Sequence, residues 1–441
     1  MQLKNMEENV RWQDYCFKPE TALCGNAVRL LKNGDEAFAE IFNVLRAAKE
    51  YILLEFYCFA DDSVGRMLRD LLLEKVRQGV GVYLIYDSVG SILTDKDFFS
   101  AMSAGGIKVG EFRPVVLWKP YWNWIKRDHR KIICVDGETA LVGGFNITVY
   151  DAPVSLGGRG WKDAQVRVEG PVVGEVERLF WGSWEASASA PGAAPPAIPR
   201  SGAMWEKVLQ RCPPIAQYLS GRRNKQGAAQ NMRAGPSNAP ARGVIAHKPA
   251  GKVYGKRPAN IYAAVLSASG MRNLRSIRRG YSYAIDRAKR YIYITNAYFL
   301  PDRFVYRRLI KAVRRGVDVR IIGPYKTDHP YIRWATLSIY PHMIKNGIKV
   351  YEWQGGILHS KTAVIDGVWA SIGSHNLDHR SLQYNLEVNI NIYDHQFGCE
   401  MARVFKDDLK GSRLVTLAEI KNRPFLSIAS SKLLYLFRSL L

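Results

Sequence analysis

The chain has 441 residues, and its 63 Lys and Arg residues outnumber its 40 Asp and Glu residues, which gives a formal net charge of +23 at pH 7. This length predicts roughly two or three domains, and the positive charge favours anionic partners such as nucleic acid, anionic lipid or a phosphorylated substrate. We expect no transmembrane helix, because no uninterrupted apolar run approaches the roughly 20 residues required, and no signal peptide, because the N-terminus lacks an apolar stretch.

Helices and strands are predicted to alternate in the first part of the chain. Apolar residues recur at helical spacing in several stretches, and continuous apolar runs of strand length follow them. The predicted helices cover 33–50, 62–79 and 95–104, and the predicted strands cover 51–59, 80–87 and 107–112. Buried strands that alternate with helices are typical of an α/β sheet covered on both faces.

One stretch of the sequence is written twice. Residues 129–147 read HRKIICVDGETALVGGFNI, and residues 359–377 read HSKTAVIDGVWASIGSHNL. Most of the matched positions are polar residues or glycine, which makes chance a poor explanation. The matched pairs are His129 and His359, Lys131 and Lys361, Asp136 and Asp366, Gly137 and Gly367, Gly143 and Gly373, and Asn146 and Asn376.

Each copy of the motif predicts a strand, an Asp-Gly turn and a second strand. Side chains two residues apart lie on the same face of a strand, so His129 and Lys131 point in one direction. The glycines near the end of the second strand permit close backbone approach, and Asn146 can then return its amide toward that face. The second copy has the same pattern. Each copy therefore offers an imidazole, an ammonium and an amide to one small anion.

The second half of the chain repeats the order of elements predicted for the first. Helices and strands predicted at 275–290, 291–300, 304–316, 317–325, 331–345 and 348–353 lead to the second motif. The duplication therefore covers whole domains, and a pseudo-two-fold axis would bring the two motifs together. We expect an α/β fold of two similar domains, each a β-sheet flanked by helices, with the active site between them.

Composition sets the domain boundaries. We predict an N-terminal domain over 1–185 and a C-terminal domain over 259–415. The segment 186–258 is rich in Ala, Pro, Gly and Ser and has 12 basic residues against one acidic residue, which is typical of a flexible basic linker. The last segment, 416–441, combines few charges with large apolar residues. It is predicted to be an amphipathic helix at a membrane surface, with docking onto the protein core as the alternative.

Two imidazoles that face one anion suit displacement at phosphorus. One neutral histidine attacks and the other, protonated, donates to the departing oxygen; both states are available because an unperturbed histidine titrates at about 6.5. Lysines and asparagines would neutralise the non-bridging oxygens, so we expect no metal and no other cofactor. Each imidazole also needs an orienting carboxylate. Asp163 and Glu387, one downstream of each motif and each beside a predicted strand, are the candidates.

The paired His-x-Lys-x4-Asp motifs, with Gly-Gly-x-Asn after the first and Gly-Ser-x-Asn after the second, resemble those of the phospholipase D superfamily. The stretches ILLEFYCFADDSVG, WKDAQVRVEGP, TNAYFLPD and GSHNLDHRSLQYNLEVN resemble bacterial cardiolipin synthases, in particular those without N-terminal transmembrane helices. The resemblance implies a metal-independent reaction through a phosphatidyl-histidine intermediate.

Carried over by position, the resemblance makes His129 the nucleophile and His359 the acid, which later activates the incoming alcohol. Asp136 and Asp366 complete the catalytic motifs and are expected to support them rather than touch the substrate. Gly144 stands where the second motif has a serine, so a hydroxyl contact is expected in one half only. The groups expected to hold the phosphate are Lys131, Lys361, Asn146, Asn376 and Ser374.

The resemblance implies transfer of a phosphatidyl group from phosphatidylglycerol to the alcohol of a second phospholipid. Water as the acceptor would give a phospholipase D, and a nucleic-acid substrate would give a phosphodiesterase; the intact motifs disfavour a non-enzymatic membrane scaffold. The aromatic and basic stretch 114–128 and the apolar C-terminus favour lipid over nucleic acid. We expect a peripheral enzyme on an anionic membrane surface, at the cytoplasmic side of the bacterial inner membrane.

Overall fold

The computed structural model describes residues 11–115, 126–189, 260–268 and 276–437. Within these residues the chain forms one mixed sheet of sixteen strands with helices packed against it. The strands are β1 (Leu23–Leu31), β2 (Tyr51–Phe56), β3 (Gly81–Asp87), β4 (Lys108–Phe112), β5 (Lys131–Val135), β6 (Thr139–Gly143), β7 (Gln165–Glu169), β8 (Ala188–Ser189), β9 (Ile261–Ala268), β10 (Tyr291–Asn296), β11 (Asp318–Pro324), β12 (Lys349–Trp353), β13 (Lys361–Ile365), β14 (Trp369–Gly373), β15 (Glu387–Tyr393) and β16 (Ser412–Leu414). The α-helices are α1 (Gly34–Ala47), α2 (Ser63–Arg77), α3 (Lys96–Ala104), α4 (Val172–Ala186), α5 (Ser276–Arg287), α6 (Arg303–Arg314), α7 (Pro330–Lys345), α8 (His379–Gln383), α9 (His395–Lys410), α10 (Leu417–Lys421) and α11 (Phe425–Leu436).

The strand order repeats itself outward from the middle of the sheet. Strands β1 and β9 pair antiparallel there, with Leu23 opposite Ala263. From β1 the order is β7, β6, β5, β2, β3, β4, and from β9 it is β15, β14, β13, β10, β11, β12. The strand that opens each motif, β5 or β13, occupies the same place in its half. This correspondence confirms the prediction of two similar α/β halves related by a pseudo-two-fold axis.

Successive side chains of each strand point to opposite faces of the sheet and pack in two different apolar clusters. In β2, Ile52 and Leu54 pack in a cluster with α1, α2 and α3, whereas Leu53 packs on the opposite face in a cluster with α4. That second cluster is continuous across the middle of the sheet, because it contains Val166 of the first half and Val388 of the second. A shared apolar core therefore holds the two motifs in a fixed relation.

Both motif hairpins turn through Asp-Gly, as predicted. Asp136 and Asp366 have φ values of 53° and 55°, and the glycine after each is also at positive φ, which is type I′ geometry. The Asp136 carboxylate accepts hydrogen bonds from the backbone N–H groups of residues 49–51. The Asp366 carboxylate accepts them from residues 289–291 and from the Tyr15 hydroxyl. These hydrogen bonds tie each hairpin turn to the start of the neighbouring strand, β2 or β10. The turn lies at the opposite end of the motif strand from the histidine.

The last described elements of the first half lie close to the predicted domain boundary at residue 185. Helix α4 ends at residue 186, and β8 at residues 188–189 pairs with β4, so elements of this half continue past the predicted boundary at 185. Most of the predicted linker, and residues 116–125 of the aromatic stretch, lie outside the described residues. The linker prediction stays a prediction.

The C-terminal segment forms α10 and α11. Helix α11 packs along α7, and the Arg423 guanidinium donates to the hydroxyls of Ser427 and Ser431 at 2.7 and 2.9 Å. The same helix leaves Phe425 81% and Leu426 77% exposed. The segment thus docks onto the protein and also presents an apolar face. No helix in the described parts of the chain has both the length and the hydropathy needed to cross a bilayer.

Candidate active site

The two motif histidines line one cavity of about 410 Å³ whose walls come from both halves. His129 and His359 each lie two residues before the strand that opens their motif. Aromatic rings meet both imidazoles edge-on: the Tyr57 ring centroid lies 5.0 Å from that of His129, and the Trp161 centroid lies 5.6 Å from that of His359. The two motifs therefore meet at one site, as predicted from the sequence.

Each imidazole is held by a carboxylate from the other half. His129 Nδ1 lies 3.1 Å from both carboxylate oxygens of Glu387, and His359 Nδ1 lies 2.7 Å from Asp163 Oδ2. All four side chains are buried, which limits competition from water. The two acids are those predicted from the sequence, and each faces the histidine of the opposite motif. With Nδ1 engaged, Nε2 of each ring is the nitrogen left to react.

Two backbone bridges between the halves produce this crossed arrangement. The His129 N–H donates to the Leu386 carbonyl at 2.9 Å, and the His359 N–H donates to the Lys162 carbonyl at 2.7 Å. Leu386 and Lys162 are the residues that immediately precede the two orienting acids. The main-chain register therefore places each acid beside the histidine that its own half does not carry, and each dyad requires both halves.

Ser374 is predicted to hold phosphate, but the structure gives its hydroxyl other partners. It donates to Glu387 Oε2 at 2.5 Å and accepts from the Val388 N–H at 3.1 Å, and the residue is fully buried. Ser374 therefore lies behind the His129–Glu387 dyad rather than at the cavity wall. In the first half, a Cβ added at Gly144 would overlap the Asp163 carboxylate. The shorter aspartate occupies the space that serine fills in the second half.

The motif lysines lie fully buried beneath the histidines. The Lys131 ammonium donates to the His129 carbonyl at 2.8 Å, and the Lys361 ammonium donates to the His359 carbonyl. Burial lowers the pKa of Lys131 to about 7. An anion bound in the cavity would favour the charged form of this lysine. Phosphate contact by the lysines stays a prediction.

Both motif asparagines line the cavity. The Asn146 side-chain oxygen accepts from the Cys58 N–H at 3.3 Å, which leaves the NH2 arm of the amide for a ligand. The side-chain oxygen of Asn376 is buried and has no hydrogen-bond partner among the described residues. Both amides lie at the cavity wall, and their contact with phosphate stays a prediction.

Electrostatics make the two dyads unequal. Burial, together with the charges of the neighbouring lysines, holds the pKa of His129 well below its ordinary value. Burial also raises the pKa of Glu387. For Asp163 burial acts upward as well, but the charges of Lys361 and His359 outweigh it and hold the carboxyl pKa below its ordinary value. These shifts favour the neutral form of the His129 imidazole in the first motif and the ionised form of the Asp163 carboxylate beside the second.

Asp151 is a cavity residue that was not predicted. Its buried carboxylate has Oδ1 3.8 Å from His359 Nδ1, while Oδ2 accepts from the Thr148 hydroxyl at 2.7 Å. Its position a few residues after the Gly-Gly-x-Asn of the first motif is the sequence feature that could have identified it. Asp151, Asp163 and His359 offer ligand atoms within 4.8 Å of one another, as a metal would require. The Lys361 ammonium lies 3.5 Å from Asp163 and already neutralises the charge of that carboxylate. We therefore assign Asp151 and Asp163 to the orientation of the His359 ring.

This geometry defines a class of protein. Two His-x-Lys hairpins with paired asparagines, packed so that both imidazoles face one cavity, are the active-site arrangement of the phospholipase D superfamily. A family model described as "Cardiolipin synthase, PLD-like domain" matches residues 41–154 and 281–409, which contain both motifs. The chain belongs to this family.

Individual relatives agree with the family model. The major cardiolipin synthase ClsA of Bacillus subtilis (strain 168) is 30% identical over 401 residues, which cover 90% of this chain and 72% of that protein. The cardiolipin synthase of Geobacillus kaustophilus (strain HTA426) is 30% identical over 403 residues, covering 90% and 68%. The crystal structure of phosphatidylserine synthase from Haemophilus influenzae Rd KW20 has the same fold, with a TM-score of 0.66 at 16% identity over the whole of both chains. The resemblance predicted from the motifs is confirmed, and the protein is a phosphatidyltransferase of the phospholipase D superfamily.

Proposed function

We propose that the protein makes cardiolipin by moving a phosphatidyl group from phosphatidylglycerol to the free alcohol of a second phosphatidylglycerol, through a phosphatidyl-histidine intermediate. The observation that carries the proposal is the pair of crossed dyads: two buried imidazoles, each held by a carboxylate of the other half, line a single cavity. One phosphodiester can then meet a nucleophile and a proton donor at the same time.

The unequal electrostatics favour His129 as the nucleophile. A neutral imidazole is required for attack, and burial and the nearby lysines keep His129 in that form. His359 is the better proton donor, because an ionised Asp163 stabilises the imidazolium form of the ring. Glu387 and Ser374 act on His129 through hydrogen bonds and are positioning residues.

The reaction takes two displacements at phosphorus. In the first, Nε2 of His129 forms a bond to phosphorus, the bond to the glycerol oxygen breaks, and His359 gives that oxygen a proton. In the second, the alcohol of the acceptor lipid loses its proton to His359 and attacks phosphorus, and the phosphorus–nitrogen bond to His129 breaks. Asn146 and Asn376 hold the non-bridging oxygens, and the buried lysines supply positive charge from below.

The mouth of the cavity suits a lipid substrate. Leu93, Tyr150 and Tyr331 line the cavity and are 98%, 43% and 43% exposed. Large apolar side chains at such exposure gain stability by entering a bilayer interface. Together with the apolar face of α11 and the net charge of +23, they support peripheral binding to an anionic membrane, with the cavity opening toward the acyl chains.

The test is lipid mass spectrometry after incubation of the purified protein with phosphatidylglycerol vesicles and a chelator. We expect cardiolipin and glycerol from the wild type, and neither from His129→Ala or His359→Ala. His395→Ala is the matched control, because that histidine is exposed on α9 and should leave turnover unchanged. Phosphatidic acid as the sole product would make water the acceptor. If no lipid changed while either catalytic-histidine variant lost cleavage of a nucleic-acid diester, the proposal would be overturned.

A further inference from the structure

A second cavity of about 410 Å³ lies against helix α4, apart from the catalytic cavity. Its lining residues in the described chain include cationic side chains and no acidic one. The apolar part of its wall is formed by Phe112, Leu179 and Leu386. The cationic residues that line it are Arg113, Lys126, Arg130 and Arg178.

The cations differ in how they are neutralised. Arg178 stands exposed at the rim and pairs with Glu175. Arg130 is 2% exposed, and its Nη1 group donates to Glu55 at 3.2 Å and to Ser183 at 2.7 Å, but its Nε has no hydrogen-bond partner in the described structure. The cavity thus contains a buried guanidinium that is only partly satisfied.

Arg113 and Lys126 complete the cationic wall, and neither forms an ion pair with a described residue. Both are half-buried. Both line the cavity together with Arg130, and burial and the charges of Arg113 and Arg130 lower the pKa of Lys126. Like charges gathered in a partly desolvated space are costly unless an anion joins them.

We propose that this cavity binds a phosphate ester, with the phosphate among Arg113, Lys126 and Arg130 and an apolar part of the ligand against Leu179 and Leu386. Arginine and lysine together are the residues that recognise phosphate. An excess of surface cations is expected in a chain of net charge +23, but an isolated exposed lysine lacks the concave wall on which these cations are gathered.

The position of this cavity connects it to the catalytic dyad. Leu386 lines the cavity, and its carbonyl accepts the hydrogen bond from the His129 N–H at 2.9 Å. Arg130 follows His129 directly in the chain. The second cavity therefore adjoins the backbone that positions His129 and Glu387.

Helix α4 offers a substitution that blocks the cavity without removing a contact. Gly182 lines the cavity, and a Cβ added there meets no atom within 4 Å. Gly182→Glu places an anion among the cations, and replacing glycine inside a helix does not lower helix stability. Gly174 lies on the same helix outside the cavity and is equally unhindered. Gly174→Glu is therefore a control with the same change of charge, and Gly182→Gln separates charge from bulk.

Calorimetric titration of the full chain with inorganic phosphate tests binding without any turnover. We expect two sites in the wild type, one of which weakens roughly tenfold to a hundredfold in Gly182→Glu and in the Arg113→Gln, Lys126→Gln double variant. Gly174→Glu should keep both sites. Asn146→Ala with Asn376→Ala should weaken the other site only. Equal binding of phosphate by wild type and Gly182→Glu would overturn the proposal, as would a single site that the asparagine variants remove.

Flotation with vesicles then identifies the source of the phosphate. Phosphatidylcholine vesicles with and without phosphatidic acid are compared for Gly182→Glu and Gly174→Glu, which have equal net charge. Weaker binding to phosphatidic acid in Gly182→Glu alone supports a lipid headgroup as the ligand. Equal flotation, with phosphate binding still lost in Gly182→Glu, supports a free phosphate ester. Because neither readout involves transfer, failure of this proposal is distinguishable from failure of the proposed function.

Discussion

Replacing Asp163 by asparagine tests the crossed pairing of the two dyads. The Asp163 carboxylate lies 2.7 Å from His359 Nδ1 and belongs to the same half as His129. Asparagine keeps the size of the side chain but cannot stabilise an imidazolium. The carboxylate is almost fully buried, so no water replaces it, and we expect a loss of about 10³- to 10⁴-fold in steady-state turnover, or about 4–5.5 kcal/mol of barrier.

The assay separates the two displacements. A phosphatidyl ester of p-nitrophenol has a leaving group that departs without a proton donor, so formation of the intermediate needs only His129. Asp163→Asn should therefore release a burst of about one equivalent of nitrophenolate and then turn over slowly, because His359 is a poor base for the acceptor. Glu387→Gln should show no burst, since the amide misorients the His129 ring.

The reversed pattern would refute the crossed assignment. If Asp163→Asn abolished the burst and Glu387→Gln kept it, the nucleophile would be His359 or each acid would serve its own motif. The variants His129→Ala and His359→Ala, assayed in parallel, distinguish these cases. A burst that survives only in His359→Ala and Asp163→Asn is the expected outcome.

Other changes test separate parts of the molecule. Lys131→Met removes a buried cation whose pKa has fallen from 10.5 to about 7. Turnover should be lost, and the free energy of unfolding, measured by denaturant titration, should rise by roughly 1–4 kcal/mol below pH 7; the gain should fade between pH 7 and 10.5, as the unfolded lysine also loses its proton. Asp366→Ala removes the acceptor of backbone N–H groups at 2.7–2.8 Å and should lower unfolding free energy by about 2–4 kcal/mol while KM stays unchanged. Phe425→Ser with Leu426→Ser should weaken vesicle sedimentation roughly tenfold at constant melting temperature, with Met67→Ser on α2 as the control.

Equal stability of Lys131→Met and wild type at pH 6 would mean that the buried ammonium carries no cost. A lower kcat with normal stability in Asp366→Ala would place that carboxylate in the catalytic machinery. Unchanged sedimentation of the Phe425, Leu426 double variant would leave α11 as a docking helix only.

The sequence predicted the parts of the structure that are encoded locally. Continuous apolar runs and helical spacing predicted β2, α2 and β3 within a few residues, and Asp136-Gly137 predicted a turn between two strands, which the structure shows with both residues at positive φ. The duplicated motif predicted two matching halves. Asp163 and Glu387 were predicted as orienting acids because each follows a motif and borders a strand.

Local sequence patterns could not predict which acid pairs with which histidine across the two halves. Glu387 lies 258 residues from His129, and Asp163 lies 196 residues from His359. Nothing in a nearly symmetric sequence tells whether an acid serves its own motif or the other. The hydroxyl of Ser374 was predicted to contact phosphate because the second motif resembles the superfamily pattern at that position, whereas its direction depends on where Glu387 packs. Side-chain direction between strands of a sheet is a tertiary property.

We expect His129 to carry the phosphatidyl group of the intermediate. The most direct measurement is rapid acid-free quenching of the His359→Ala variant after mixing with the nitrophenyl ester, followed by proteolysis and mass spectrometry of the histidine peptides. In the His359→Ala variant we predict a phosphatidyl adduct on His129 and no modified residue in the second motif. In the His129→Ala variant we predict no adduct. An adduct mapped to His359 in the His129→Ala variant, or the absence of any adduct during a full burst, would show that His129 is not the nucleophile.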